Sequence, residues 1–143
     1  MRKGKVKWVD KYQDIPEGME PTRDDLALVD TETGRIYAIK GKTRIEDLEH
    51  EFGHVALGHS NKNPRNPNQY IREELEAELY AYQRVGRPKH ITGYLRRLLY
   101  DLCEYEYKVS KQRGIKIIEK ELFFLPVPRE WEDDFYKVKK EVR

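Results

Sequence analysis

Two histidines four residues apart, His50 and His54, constrain this chain more than any other feature of its sequence. Thr43 and Glu46, which precede them, match a capping box, and Gly58 after them is typical of a helix stop. Residues four apart on a helix lie on the same face, about one turn from each other. The stretch therefore predicts one helix that carries both imidazoles side by side.

The apolar residues of this helix predict where the histidines point. At about 100° per residue, the apolar side chains form one stripe and both histidines lie nearly opposite it. We therefore expect the histidines to face solvent, or a second element that brings a further ligand, rather than to pack in the core. The stripe consists of Ile45, Leu48, Phe52, Val55 and Ala56.

Glu51 completes the pattern His-Glu-x-x-His, which is the zinc-hydrolase motif. Zinc takes neutral imidazole nitrogens at roughly 2.0 to 2.1 Å and keeps an open position for a water, which needs a nearby carboxylate as general base. The sequence thus predicts His50 and His54 as zinc ligands and Glu51 as the general base. Composition alone would produce the motif by chance in roughly one such chain per hundred.

A second helix is predicted from Tyr70 to Val85. Glu74 and Glu78 fall within its apolar stripe, and carboxylates on a buried face are costly unless they are paired or bind a metal. We therefore assign Glu74 as the third zinc ligand and Glu78 as the acceptor that orients one ligand imidazole. The alternative is that both glutamates form salt bridges with arginines of this region, Arg84 or Arg87. The far side of the helix carries Arg72, Glu73, Glu76, Gln83 and Arg84.

The run HEFGHVALGH together with the stretch Glu74 to Ala81 resembles the ImmA/IrrE family of gluzincin metallopeptidases, and is similar to the short archaeal minigluzincins. The resemblance covers Ile45 to about Ala81. It implies a zinc peptidase whose third ligand is a glutamate, or a regulator that acts on a separate repressor-type partner. The second signature of the family reads roughly E-x-E-A-N-x-F-A, so Glu78 replaces the usual Asn and Tyr80 replaces Phe.

The other two histidines are not assigned as ligands. His59 would point about 140° away from His54 if the helix continued, so we interpret it as an end-of-helix residue near the site. His90 follows a Gly-Arg-Pro break and is interpreted as a surface or helix-start histidine. A metzincin site is excluded, because that class needs Gly and His where the chain has Leu57 and Ser60.

Composition narrows the class of protein. The length of 143 residues predicts one domain, residues 1–143. A net charge of +2, with 38% charged residues, predicts neither nucleic-acid nor membrane binding, and the excess of Lys, Arg and Glu favours a thermophilic source. Cys103 is alone, which excludes an intramolecular disulfide, and we expect it to be buried. The chain shows neither a membrane span nor a signal peptide, so a cytoplasmic location is expected.

These patterns predict an α+β fold in which a small N-terminal antiparallel sheet packs on a zincin-like active-site helix, followed by a mostly helical C-terminal half. In that half, one helical run ends at Gly114 and Ile115 to Leu125 favours a short helix. Pro128 opens a final amphipathic helix, whose apolar residues are three to four positions apart: Trp131, Phe135, Val138 and Val142. The strands are predicted at Val6–Val9, Leu26–Asp30 and Arg35–Ile39.

Three functions are compatible with these residues. The leading one is a zinc metalloendopeptidase that hydrolyses peptide or protein substrates by a zinc-activated water with a glutamate general base. The second is a regulator that acts on a separate repressor-type protein, as the family resemblance implies. The third is a catalytically silent or metal-free domain that retains the motif.

Overall fold

A computed structural model of the chain describes residues 6–11, 27–30, 33–59, 66–86 and 91–142. A three-stranded sheet comes first and helices follow, which confirms the predicted α+β class and its mostly helical C-terminal half. The elements are β1 (Val6–Val9), β2 (Ala27–Asp30), β3 (Arg35–Ile39), α1 (Ile45–Ala56), α2 (Pro67–Val85), α3 (Ile91–Tyr100), α4 (Lys111–Phe124) and α5 (Arg129–Glu141).

The sheet is mixed, with the strand order β1-β3-β2. β2 and β3 are antiparallel, as the hairpin pattern predicts, with Ala27 opposite Ala38. β1 pairs with β3 in parallel, with Val6 opposite Ile36, so the prediction of an antiparallel sheet is wrong for this strand. Alternation of side chains indicates which faces a strand presents, but not its direction beside a partner distant in sequence. Leu26, predicted to begin β2, lies outside the described residues.

The start of α1 differs by one residue from the predicted capping box of Thr43 and Glu46. The backbone N–H of Arg44 donates to the carboxylate of Asp47 at 2.9 Å, so Arg44 is the N-cap. The Thr43 hydroxyl instead accepts a hydrogen bond from the backbone N–H of Ile39 at 2.8 Å. Thr43 therefore closes the turn after β3.

The apolar stripe of α1 packs on the sheet, which fixes the direction of its other face. Phe52 is buried in a cluster with side chains of β2 and β3, and Leu48 and Val55 pack against that cluster. Ile45, which the helical pattern also placed in the stripe, is the first residue of the helix and is exposed. The sheet residues of the cluster are Ala27, Val29 and Ile36.

The chain divides into two compact units, Met1–Pro64 with Glu76–Arg87, and Arg65–Leu75 with Pro88–Arg143. The first unit contains the sheet, α1 and the end of α2, and the second contains the start of α2 and the helices α3 to α5. The prediction of a single domain stays a prediction. None of the described helices has both the length and the apolar composition that crossing a membrane requires.

The second unit contains a break that the sequence pattern missed. α3 continues into a π-helical turn, Asp101–Glu106, and the chain then passes through Lys108, whose φ is +51°. Ser110 caps α4 by accepting a hydrogen bond from the Arg113 N–H at 3.1 Å. Gly114, predicted to end the preceding helix, therefore lies in the first part of α4.

The two helices predicted for the end of the chain are confirmed. The helix favoured for Ile115 to Leu125 is part of α4, and α5 begins directly after Pro128. Cys103 is buried as predicted, and this burial raises the pKa of its thiol. The buried residues of α5 are Trp131, Phe135 and Val138.

Candidate metal centre

The two histidines of α1 meet through their Nε2 atoms. His50 and His54 are 9% and 7% exposed, and their Nε2 atoms lie 3.2 Å apart. Their spacing of four residues brings both rings to one side of the helix, with the ring centroids 4.8 Å apart. Two nitrogen atoms of the kind that bind metal ions thus lie close together in a buried part of the protein.

Glu78 determines which nitrogen of His50 carries the proton. Its Oε1 lies 2.8 Å from His50 Nδ1. Because a carboxylate only accepts hydrogen bonds, the proton is on Nδ1, and the Nε2 of a neutral His50 presents a lone pair towards His54. Arg84, an alternative partner considered for Glu78, pairs with Glu49 at 2.9 Å.

His59 and Glu76 also belong to this cluster. The Nδ1 atoms of His54 and His59 lie 2.9 Å apart, and His59 Nε2 lies 2.9 Å from Glu76 Oε1. His59 is therefore near the site, as interpreted from sequence. The expectation that Glu76 lies on the far side of its helix, away from the site, is wrong. The Gly58 stop signal could have indicated the contact of His59 with His54, because a helix that ends in a glycine turn does not continue its 100° period.

The spacing of the two Nε2 atoms fits a shared cation. Two imidazole nitrogens bound to one tetrahedral zinc at roughly 2.0 to 2.1 Å are about 3.3 Å apart, which is close to the 3.2 Å between His50 and His54. Zinc requires neutral imidazole with an unprotonated nitrogen, and Glu78 leaves His50 Nε2 in that form. The donor set therefore fits a metal ion.

Glu74 is the carboxylate that joins the two histidines. His50, His54 and Glu74 each offer one ligand atom, and these atoms all lie within 4.8 Å of one another, so the three residues can hold a metal ion. The Tyr94 hydroxyl of α3 lies 3.1 Å from the Glu74 carbonyl oxygen and 3.4 Å from its Oε1. Glu74 is predicted from the sequence, whereas Tyr94 is not, because its partner lies twenty residues away on another helix.

Glu51, the predicted general base, lies on α1 next to His50 and is partly buried. Its role needs a substrate and stays a prediction. His90 and Arg87, considered for other roles, lie outside the described residues.

Gly53 allows the end of α2 to approach α1 closely. A Cβ atom on Gly53 would lie 3.1 Å from the Cα and the carbonyl oxygen of Ala77, and 3.1 Å from the Cβ of Tyr80. Because two of these three atoms are backbone, a side chain at this position would separate the helices. A glycine between the two histidines therefore keeps Glu78 within reach of His50.

Comparisons of the chain with protein-family models, with curated proteins and with solved structures found no match. The resemblance to ImmA/IrrE proteins stays a prediction from the sequence of Ile45 to about Ala81.

Proposed function

We propose that this protein is a zinc-dependent peptidase in which His50, His54 and Glu74 hold the ion and Glu51 is the general base. The observation that carries the proposal is the pair of histidine Nε2 atoms 3.2 Å apart, with a carboxylate close enough to share an ion with them. Imidazole nitrogens with one carboxylate are a donor set of hydrolytic zinc sites. The resemblance to gluzincins supports the same assignment.

Each of these side chains has a separate task. A zinc ion held by His50, His54 and Glu74 would act as a Lewis acid: it would lower the pKa of a water to about 7 and polarise a carbonyl. Glu51 takes the proton that the attacking water loses and returns it to the leaving amine. Glu78 accepts the Nδ1–H of His50 and so directs the lone pair of that ring. The Tyr94 hydroxyl lies within hydrogen-bonding distance of the Glu74 carboxylate and restrains it.

The substitution Glu51→Gln tests the mechanism. It removes the base but leaves the three ligands, so we expect zinc affinity within about twofold of the parent and cleavage reduced at least about 10²-fold. Zinc affinity is measured by competition with a chelator, and cleavage by mass spectrometry of a digested peptide library. Glu46→Gln, in the first turn of the same helix, is the matched control and keeps both properties.

The ligand set is tested on α2, where four glutamates differ in position. Glu74→Ala removes a ligand and is expected to cost the most zinc affinity. Glu78→Ala removes only the partner of His50 and is expected to cost roughly 10 to 100-fold. Glu73→Ala serves as the control, because Glu73 contacts the exposed Gln69 of the preceding turn at 3.3 Å. A larger loss for Glu73 than for Glu74 would contradict the assignment.

The parent protein also separates the proposed peptidase from its alternatives. Zinc binding without any cleavage of the library, together with cleavage or capture of one repressor-type protein, would replace the general peptidase by a dedicated regulator. Zinc binding with neither result would leave a catalytically silent domain. A parent that binds no zinc would refute all three ligand assignments.

A further inference from the structure

We infer that His59 and Glu76 are positioning residues for His54: they hold its imidazole in the single tautomer that can bind the metal. The inference rests on the metal site of the proposed function and adds two residues to it. Three side chains are in contact one after the other: Glu76 Oε1 lies 2.9 Å from His59 Nε2, and His59 Nδ1 lies 2.9 Å from His54 Nδ1.

The carboxylate of Glu76 determines where the protons of His59 and His54 lie. A carboxylate only accepts, so Glu76 keeps the proton of His59 on Nε2. The Nδ1 of a neutral His59 is then an acceptor, and His54 must donate its own Nδ1–H. His54 Nε2 is left with a lone pair that points towards His50 Nε2, at 3.2 Å.

Two lone pairs facing each other at this distance repel unless a cation lies between them. Glu78 holds His50 in the same tautomer in which His59 holds His54, because in both rings Nδ1–H donates a hydrogen bond and Nε2 carries no proton. Each ligand nitrogen is thus held ready for the ion by its own hydrogen-bonding partner. For His50 this partner is the carboxylate of Glu78, and for His54 it is the imidazole of His59, which is itself held by the carboxylate of Glu76.

The backbone explains how His59 reaches His54 across five residues. After Leu57, the chain enters a left-handed turn at Gly58, with φ at +72°. The N–H of His59 donates to the His54 carbonyl oxygen at 2.9 Å, and the N–H of Gly58 donates to the Val55 carbonyl oxygen at 3.2 Å. This bonding pattern is the Schellman motif, which folds the residue after the glycine back onto the last turn of the helix.

Burial and geometry argue against two other roles for His59. A surface histidine would be solvated, but His59 is 8% exposed. As a metal ligand it would need a free ring nitrogen, whereas Nδ1 is engaged with His54 and Nε2 with Glu76. His59 instead connects His54 to the carboxylate of Glu76. Such a hydrogen-bonding partner is what fixes the orientation of a ligand imidazole.

The test measures zinc affinity by chelator competition on the full chain. We expect His59→Ala to weaken zinc binding by roughly 10 to 100-fold, as is typical when the partner of a ligand histidine is lost. His59→Gln should recover part of the loss, because its amide oxygen can accept from His54 Nδ1–H. Glu76→Ala is expected to weaken binding less than His59→Ala, Glu76→Gln less still, and the control Glu73→Ala by no more than twofold.

A second readout reports the tautomer itself. In the zinc-free parent, ¹⁵N–¹H correlation spectra of the histidine rings should show the His54 proton on Nδ1 and the His59 proton on Nε2. Melting curves recorded without zinc show whether each variant folds, and Glu76→Gln provides a conservative variant if His59→Ala does not fold. A His54 proton on Nε2 in the zinc-free parent would overturn the inference.

The outcomes separate this inference from the proposed function. If the parent binds zinc and His59→Ala binds it within twofold, the positioning role is refuted while the peptidase proposal stands. If affinity falls as expected but the parent cleaves nothing, the peptidase proposal is refuted while the positioning role stands. A parent that binds no zinc refutes both.

Discussion

The two compact units bury different kinds of side chains. In the second unit, Glu121 is the single buried charged side chain among the described residues, and Arg72 holds its carboxylate at 3.0 Å. The rest of that interior is apolar and includes Trp131 and Phe135, both at most 2% exposed. The first unit instead buries a group of polar side chains on α1 and in the turn that follows it: Glu49, His50, His54 and His59.

The difference means that the first unit carries the cost of burying polar side chains, whereas the second largely avoids it. A buried polar group costs free energy unless it is hydrogen-bonded, and well-packed apolar residues at such positions are often neutral or stabilising. The hydrogen bonds from His50 to Glu78 and from His54 to His59 offset this cost. They do not add more stability than apolar side chains would provide at the same positions. We therefore expect the polar group of the first unit to contribute less to stability than the apolar interior of the second.

The largest expected effect on stability lies in the second unit. Phe135 is 2% exposed, so Phe135→Ala removes a large apolar side chain and leaves a cavity. We expect a loss of about 3 to 5 kcal/mol in the free energy of unfolding. Urea unfolding followed by circular dichroism measures it, with and without zinc. The comparison of the two units fails if this loss is below about 1 kcal/mol. It also fails if zinc changes the loss caused by Phe135→Ala but does not change the loss in the free energy of unfolding caused by His54→Ala.

Local periodicity was enough to predict most of the fold. The spacing of Trp131, Phe135 and Val138 predicted their burial, because a helix that packs on one side repeats its apolar residues every three to four positions. That Glu78, one turn after Glu74, contacts one of the two histidines followed from the same geometry, and the structure shows that this histidine is His50. These features depend on a period that the chain keeps within one element.

The features that were missed depend on where the chain goes when an element ends. His59 was expected near the site, but its contact with His54 was not. A continued helix would place the two about 140° apart, and the glycine turn ends that geometry one residue earlier. Glu76 lies away from the apolar stripe of α2, yet its partner His59 arrives from outside the helix. The parallel pairing of β1 likewise depends on a crossover connection that side-chain alternation does not encode.

Substituting alanine for one glycine in each unit is expected to change stability less than Phe135→Ala does. In Gly53→Ala the added Cβ would lie 3.1 Å from the backbone of Ala77, which is tighter than ordinary contact, so α2 must shift. We expect a cost of about 1 to 3 kcal/mol and weaker zinc binding, because α2 carries Glu78. Thermal unfolding and chelator competition measure the two effects.

Gly93→Ala in α3 is the matched control for that substitution. No atom lies within 4 Å of a Cβ built on Gly93, so alanine adds no clash and removes the flexibility of a helical glycine. It is expected to stabilise the protein by roughly 0.5 to 1 kcal/mol and to leave zinc affinity unchanged. If both substitutions have the same sign, the close approach at Gly53 does not constrain the site.

The smallest expected effect is the pH dependence of an exposed ion pair between α3 and α5. Arg96 donates from Nε and from one terminal nitrogen to the two carboxylate oxygens of Glu141, both at 2.7 Å, and these hydrogen bonds lower the pKa of Glu141. A carboxyl whose pKa is lower in the folded than in the unfolded state stabilises the fold above its unfolded pKa, about 4.3, and that contribution disappears as the pH falls through the folded value. We expect Glu141→Gln to be less stable than the parent at pH 7 and equal to it at the acidic end of an unfolding series, with the difference reduced by added salt. Glu132→Gln, on the same helix, is the control. A stability difference between Glu141→Gln and the parent that persists at the acidic end would assign the effect to packing rather than to charge.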